Sequence, residues 1–336
     1  MEHAKKYFRP LILSVALAIF IYLIFALFLD WQKSYSAVRS LSALAWLIIL
    51  GLSLVNYCIR AVRWYGYMAY LGNRVPFLQN LYVYFAGFAF TTTPGKLGET
   101  IRSVYLKQHG VSYQHSLAAF FAERLVDVIT MILLSLYSIF AFSRYQLHVG
   151  IFFVFIVCVL FAIRSRRLQN WFAERSADFS SERLKSLAGH FIDLVQAASS
   201  LLKSGPLLVG LLLGLIGWGA EGYALHIILA GLGVDVGWPV AVGVYSVAII
   251  AGAVSFIPGG LGSTEAVMGG SLMLLGVDPG TAVAATLICR LVTLWFAVGL
   301  GIIFVLVLEG TGSAGKGYRS EAPPSLAAGK TQDTQD

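Results

Sequence analysis

Apolar residues run along most of this chain in blocks long enough to matter, and polar residues collect between the blocks. A helix needs about 18–20 apolar residues to cross a bilayer. Full spans are read at about 10–29, 41–64, 113–142, 148–163, 206–231 and 280–308. Two further apolar stretches, 77–109 and 239–276, are each interrupted near the middle, by "TTTPGKLGE" and "FIPGGLGSTE". Proline removes an amide donor and clashes with the preceding turn, while glycine lets the chain reverse. Each Pro-Gly therefore ends one helical arm and starts another, and the pattern predicts a re-entrant hairpin with its tip at membrane depth. Irregular backbone at that depth survives only where protein shields it or a wet cavity receives it.

The polar segment 164–205 holds one more periodic pattern. Leu184, Leu187, Phe191, Leu194, Ala198 and Leu201 recur at intervals of three or four, which predicts an amphipathic helix along the membrane interface. From Thr311 onward the chain is rich in Gly, Ser, Ala, Pro, Gln and Asp, a composition that predicts a disordered cytoplasmic tail, 311–336.

Composition sharpens the class. Hydrophobic residues make up 58% of the chain and charged residues 12%. That charged fraction is about half of what a soluble domain carries. The net charge of +7 does not imply nucleic acid, because the cations gather beside the ends of apolar blocks. With the N-terminus in the cytoplasm, seventeen of the 24 Lys and Arg fall inside. Lys33, Arg39 and Arg144 fall outside, and Lys96, Arg102, Arg124 and Arg290 lie in membrane-depth elements. "KKYFRP" followed by an apolar run is read as an uncleaved first span, since the run is long and no small-residue cleavage site follows. Cys58, Cys158 and Cys289 all fall in apolar runs, which argues against a disulfide framework. No Cys/His cluster has metal-ligand spacing, and His109 and His115 read as solvated loop residues. No cofactor is expected.

The chain also repeats itself. "GVSYQHSLAAFFAERLVDV" (110–128) and "GVDPGTAVAATLICRLVTL" (276–294) share seven identities without a gap, among them Arg124 and Arg290. "PGKLG" (94–98) matches "PGGLG" (258–262), and "LGNRVPF" (71–77) matches "LGVDVGW" (232–238). Three blocks in one order at nearly constant offset define repeat one at about 41–142 and repeat two at about 206–308. By the charge count the first broken stretch begins and ends inside and the second outside. Inverted repeats with broken helices are a signature of secondary transporters. The expected fold is an all-α polytopic membrane protein, with inverted-topology repeats, about six full spans and two re-entrant hairpins.

The chemistry falls at the interruptions. A returning helix that begins after "LG" turns its free amides and positive dipole end toward the tip, a place for a phosphate or carboxylate. Glu99 and Glu265 sit there, either as N-terminal caps or as groups that bind a cation or carry a proton; Arg102 shares a face with Glu99. Arg124 and Arg290 lie ten to twelve residues inside apolar helices, flanked in the first case by Glu123 and Asp127. Charges at that depth cost several kcal/mol and face inward. They either hold hairpin to helix as salt bridges or grip an anionic headgroup, one from each half of a central site. Gly210, Gly214 and Gly217 around Glu221 predict close helix packing. Tyr82, Tyr84 and Tyr245 read as packing or interfacial aromatics.

"PGKLGETIR", "ERLVD", "PGGLGSTE" and the Arg290 helix together resemble the transmembrane region of the lysylphosphatidylglycerol synthase/flippase family, over roughly 10–308. The resemblance implies an inverted-repeat bundle with re-entrant helices, which in the family's multiple peptide resistance factor members moves an aminoacylated phospholipid between leaflets, a substrate that need not be this chain's. It places Pro94, Gly95, Gly98, Glu99, Arg102, Glu123, Arg124 and Asp127 at one half-site. Pro258, Gly259, Gly260, Gly262, Glu265 and Arg290 form the other. Arg102 has no basic counterpart, since Met268 stands three residues after Glu265, and no soluble aminoacyl-transferase domain is expected after the last span. The expectation is a non-enzymatic lipid translocase of a bacterial inner membrane, taking a lipid with an anionic or zwitterionic headgroup. The alternatives are a membrane-embedded enzyme using Glu99 or Asp127, an accessory subunit of a lipid-modifying synthase or glycosyltransferase, and a small-solute secondary transporter.

Overall fold

The computed structural model describes residues 38–93, 98–139, 154, 158, 160–177 and 182–310. The first span, most of the span read at 148–163, the tail from Thr311, and Pro94, Gly95, Lys96 and Leu97 lie outside the described residues. Ser42 caps the first described long helix, α1 (Ala43–Tyr70), by accepting the Ala45 N–H at 3.1 Å. The first broken stretch follows as α2 (Phe77–Gly87), a 3-10 turn (Phe88–Phe90) and α3 (Ile101–Lys107). Then come α4 (Tyr113–Ile139), α5 (Arg166–Ala177), α6 (Glu182–Leu201) and α7 (Ser204–Gly231). The second broken stretch is α8 (Trp238–Val254), a 3-10 turn (Pro258–Gly260) and α9 (Ser263–Leu274). Last, α10 (Pro279–Arg290) passes through a π-helical turn (Leu291–Trp295) into α11 (Phe296–Gly310). No strand occurs among the described residues.

Three of these segments are long and apolar enough to cross a membrane: Ala43–Tyr70, Ser204–Gly231 and Pro279–Gly310. α4 matches them in length but carries Glu123, Arg124 and Asp127 at mid-helix. Burial is inverted relative to a soluble protein. Leu44, Leu47, Leu208, Leu212, Ile216, Ile303 and Leu306 point outward, while Arg60, Arg63, Glu99, Arg102, Glu123 and Arg290 are buried. Only a hydrocarbon solvent makes that arrangement stable.

The two repeats match in backbone detail. After α1 the chain turns at Gly72 (φ 81°) and Asn73 N–H returns to Met68 C=O; after α7 it turns at Gly233 (φ 76°) and Val234 N–H returns to Leu229 C=O. At the ends of α3 and α9, Gly110 (φ 80°) and Gly276 (φ 86°) make the same turn, with Val111 N–H on Leu106 C=O and Val277 N–H on Leu272 C=O. These are Schellman-type helix ends, whose left-handed residue favours glycine. The same offsets that align the sequences therefore align the helix caps.

α1 and α7 pack against each other in opposite directions. A Cβ on Gly231 would meet Leu41, one on Gly217 would meet Asn56, and one on Gly210 would meet Tyr67. As numbers rise along α7 they fall along α1. The operation relating the repeats thus reverses helix direction, as the inverted-repeat expectation requires. The three glycines face Tyr67, Thr130 with Arg63, and Asn56, the close packing the sequence predicts.

The repeats are interleaved rather than separate. Tyr57–Met68 of α1 pack with α2, α3 and the end of α11, whereas Leu41 and Ile49 pack with α7, α8 and α10. In each broken stretch the arm after the interruption packs against the arm before it. Gly87 lies against Arg102 of the returning arm, and Gly252 against Thr264. α6 docks Ala198 and Leu201 into the protein beside α4, while Leu187 and Phe191 remain exposed. Only part of the predicted apolar stripe therefore faces outward.

Candidate functional site

Helical spacing brings one face of α1 and one face of α4 together with the returning arm of the first hairpin. Arg60 and Arg63 on α1 are one turn apart, and on α4 Asp127 lies one turn from both Glu123 and Arg124. Arg63 Nη2 lies 2.5 Å from Asp127 Oδ1 and 3.4 Å from Glu123 Oε1. Arg124 Nη2 lies 3.2 Å from Glu123 Oε2 and 3.1 Å from Asp127 Oδ2. Arg102 Nη1 reaches Glu123 Oε2 at 3.2 Å and also pairs with Glu99, which accepts from Thr91 Oγ1 at 2.9 Å. The Tyr84 hydroxyl donates to Glu123 Oε1 at 2.5 Å. The Arg102 guanidinium lies 4.5 Å from both the Trp64 and the Tyr84 ring.

The second hairpin carries a smaller version. Arg290 Nε pairs with Glu265 Oε1 at 2.7 Å, and Arg290 Nη2 donates to the Gly259 carbonyl at 2.6 Å. Glu265 also accepts the Gly262 N–H at 2.7 Å, so the capping role and the ion-pair role hold together. Glu99 differs. It precedes α3 within a 3-10 turn, Gly98–Thr100, instead of sitting in the helix's first turn. Gly259 (φ 64°) and Gly262 (φ 84°) supply left-handed corners that a side chain would strain.

Arg124 and Arg290, at equivalent places in the two repeats, line one cavity of about 200 Å³. Asp127, Trp218, Gly259 and Gly260 share its lining with Ile249, Ala253 and Phe256. Glu99, Arg102 and Glu123 are buried behind Arg124, and Gly98, Pro258, Gly262 and Glu265 lie outside the cavity lining. Pro94 and Gly95 fall outside the described residues.

The sequence reading misses four members. Arg60 and Arg63 belong to the cytoplasmic seventeen in the charge count, yet both are buried in the cluster, so they leave that tally. A cation at the end of an apolar block reads the same whether it snorkels outward or turns inward. Tyr84 is a buried donor to Glu123, whereas Tyr82 packs on Phe304. Trp218 donates from Nε1 to Asp127 Oδ1 at 3.0 Å. Its equivalent in repeat one is Tyr57, whose hydroxyl donates to the Thr293 carbonyl at 2.5 Å, and Thr293 is the equivalent of Asp127. Each repeat's first helix is thus latched to the other repeat's last long helix.

The two faces are not equally open. Near the ends of the two outgoing arms, Thr92 is fully buried while Ala253 is exposed and lines the cavity. On the Thr92 side Gly301 of α11 presses on the backbone of Phe88 and Ala89. The second Pro-Gly turn comes close to the end of the first outgoing arm, where a Cβ on Gly259 would lie 3.6 Å from the Thr92 Cα.

The chain is similar over most of its length to membrane proteins of known sequence. A UPF0104 membrane protein of Pyrococcus horikoshii is 27% identical over 311 residues, covering 83% of this chain and 93% of its own length. A UPF0104 membrane protein of Methanothermobacter thermautotrophicus is 24% identical over 310 residues, covering 85% and 91%. A second alignment to a protein of that name and organism gives 24% over 228 residues. Residues 11–301, which include both Pro-Gly interruptions, match the family described as the lysylphosphatidylglycerol synthase TM region, and this membrane protein belongs to that family.

Proposed function

We propose that the chain moves the phosphate-bearing headgroup of a membrane lipid between leaflets, through the cavity that Arg124 and Arg290 share. The carrying observation is that two arginines at equivalent places in the two repeats line one cavity beside the second Pro-Gly interruption. Guanidinium is the side chain best matched to phosphate. The headgroup enters among these polar groups while its tails stay in lipid. The open Ala253 face and the closed Thr92 face are two ends of one movement, in which one repeat rocks against the other. The hairpin tips then lie at membrane depth, the arginine-rich segment from Arg164 to Lys203 lies on the cytoplasmic side, and the membrane is the cytoplasmic one. Aminoacylated phospholipids are one candidate cargo within this class.

The test is a leaflet-exchange assay in reconstituted vesicles with fluorescent phosphatidylglycerol and external reductant. Wild-type protein should accelerate exchange, and Arg124→Gln and Arg290→Gln should each abolish it while eluting as folded protein. Undiminished exchange in both variants would sink the site.

A second reading, an accessory subunit for a synthase or glycosyltransferase, draws on one observation. Trp171, Phe172 and Phe191 line an exposed apolar groove of about 170 Å³ between α5 and α6. Loss of lipid modification in cells, with vesicle exchange intact, after Trp171→Ser and Phe191→Ser would favour it.

A further inference from the structure

Among the described residues the first cluster sets four guanidiniums, Arg60, Arg63, Arg102 and Arg124, against three carboxylates, Glu99, Glu123 and Asp127. Arg60 is the weakly held member. Its Nε lies 3.9 Å from Glu123 Oε1, and neither Nε nor Nη2 makes a hydrogen bond, although the residue is only 4% exposed. One turn earlier on the same face, Asn56 is fully buried with both amide atoms unsatisfied. Gly217 faces Asn56 without a side chain; a Cβ there would come within 3.3 Å of the amide nitrogen. Buried donors without acceptors are costly, and a surplus buried cation more so. Together they describe a place that wants an anion rich in acceptors.

That place adjoins the cavity through a single aromatic ring. Trp218 stands 4.9 Å from the Arg60 guanidinium and also lines the cavity. Phe88 covers the cation as well, at 5.4 Å. Trp218 is held by its hydrogen bond to Asp127, itself a cavity residue that pairs with Arg124. A phosphate that displaces Asp127 from Arg124 would disturb the group that holds the indole.

We propose that Arg60 and Asn56 form a second, deeper phosphate-binding position, separated from the cavity by the Trp218 indole and entered when that ring swings aside. The ligand is a phosphate mono- or diester, carried by a lipid or free as inorganic phosphate. The position rests on the reading of the cavity as a phosphate site, because the cavity is its entrance. It makes the site two-stage, with Arg124 and Arg290 at the mouth and Arg60 within.

The experiment uses the full chain in phosphatidylcholine nanodiscs, titrated with dioctanoyl phosphatidate and separately with inorganic phosphate. Affinity, tryptophan emission and the ligand-free thermal midpoint are recorded for wild type, Arg60→Gln, Arg124→Gln and Trp218→Phe. Phosphatidate should change the emission of wild type, and Trp218→Phe should lose most of that change. Arg60→Gln should bind at least tenfold more weakly without a lower thermal midpoint, since its loss leaves three cations facing three carboxylates. A lowered midpoint would mark Arg60 as a structural cation and overturn the proposal. Wild-type affinity in Arg60→Gln beside weakened Arg124→Gln would overturn the deeper position and leave the cavity reading standing. Unchanged affinity in both, or no binding by wild type, would overturn both. An equal emission change with inorganic phosphate assigns the position to free phosphate; a change with phosphatidate alone assigns it to lipid.

Discussion

Gly301 should govern how firmly the Thr92 face stays shut. A Cβ at this position would fall 2.1 Å from the Ala89 nitrogen, 2.7 Å from the Phe88 carbonyl carbon and 2.8 Å from the Ala89 Cα. All three are backbone atoms, so no rotamer change relieves the clash. To restore ordinary contact α11 must retreat by roughly an ångström, and overpacking of this kind costs ~1–3 kcal/mol. If that cost falls on one end state only, it shifts the balance of the two states by ~5–150-fold. The assay is the rate at which a water-soluble maleimide labels Thr92→Cys, in a background with Cys58, Cys158 and Cys289 replaced. Gly301→Ala should raise that rate within the stated range and lower labelling of Ala253→Cys, on the open face. A lower thermal midpoint with both labelling rates unchanged would refute the reasoning, because Gly301 would then be packing common to both states.

The Glu265–Arg290 pair predicts a non-additive cycle. Each single change, Glu265→Leu or Arg290→Met, strands a buried charge and should cost ~3–5 kcal/mol, while the double change should cost far less; thermal unfolding of the four proteins decides it. Tyr84→Phe removes the hydroxyl that donates to buried Glu123. It should lower stability by ~1–3 kcal/mol, and a midpoint equal to wild type would show that the bond contributes nothing. Gly262→Ala forces a side chain to φ 84°. The strain of ~1–2 kcal/mol should register as a lower thermal midpoint, accompanied by weaker phosphatidate binding if the second tip shapes the cavity.

What the sequence shows and what it hides divide along physical lines. Lipid demands long apolar faces, and a chain reversal demands glycine at a left-handed corner, so the blocks and both interruptions are visible residue by residue. The matched caps at Gly72, Gly110, Gly233 and Gly276 explain why the repeat survives in "LG" and "GV". Arg124 and Arg290 stand out because a charge deep in an apolar helix has few acceptable places. Arg60 and Arg63 do not, since their distance from the block's end fits either environment. Trp218 and Tyr57 were invisible for another reason. Their partners, Asp127 and Thr293, lie 91 and 236 residues away, and an aromatic residue in an apolar run carries no mark of a distant acceptor. Only the fold supplies those distances.

The alignment of helix caps also pairs Arg60 with Glu221, and Tyr84 with Tyr245, whose hydroxyl donates to Glu221 at 2.5 Å. One position thus bears a cation in the first half and an anion in the second. End states related by the repeat symmetry would have equal energy only if the halves were chemically equal, and here they are not. A carrier of the kind proposed therefore rests with one face favoured before any cargo arrives. Such a preference leaves the final distribution of a passively moved lipid untouched. It does make the two leaflets unequal as sources, because cargo on the disfavoured side meets fewer receptive molecules and must reach a higher concentration to half-saturate them.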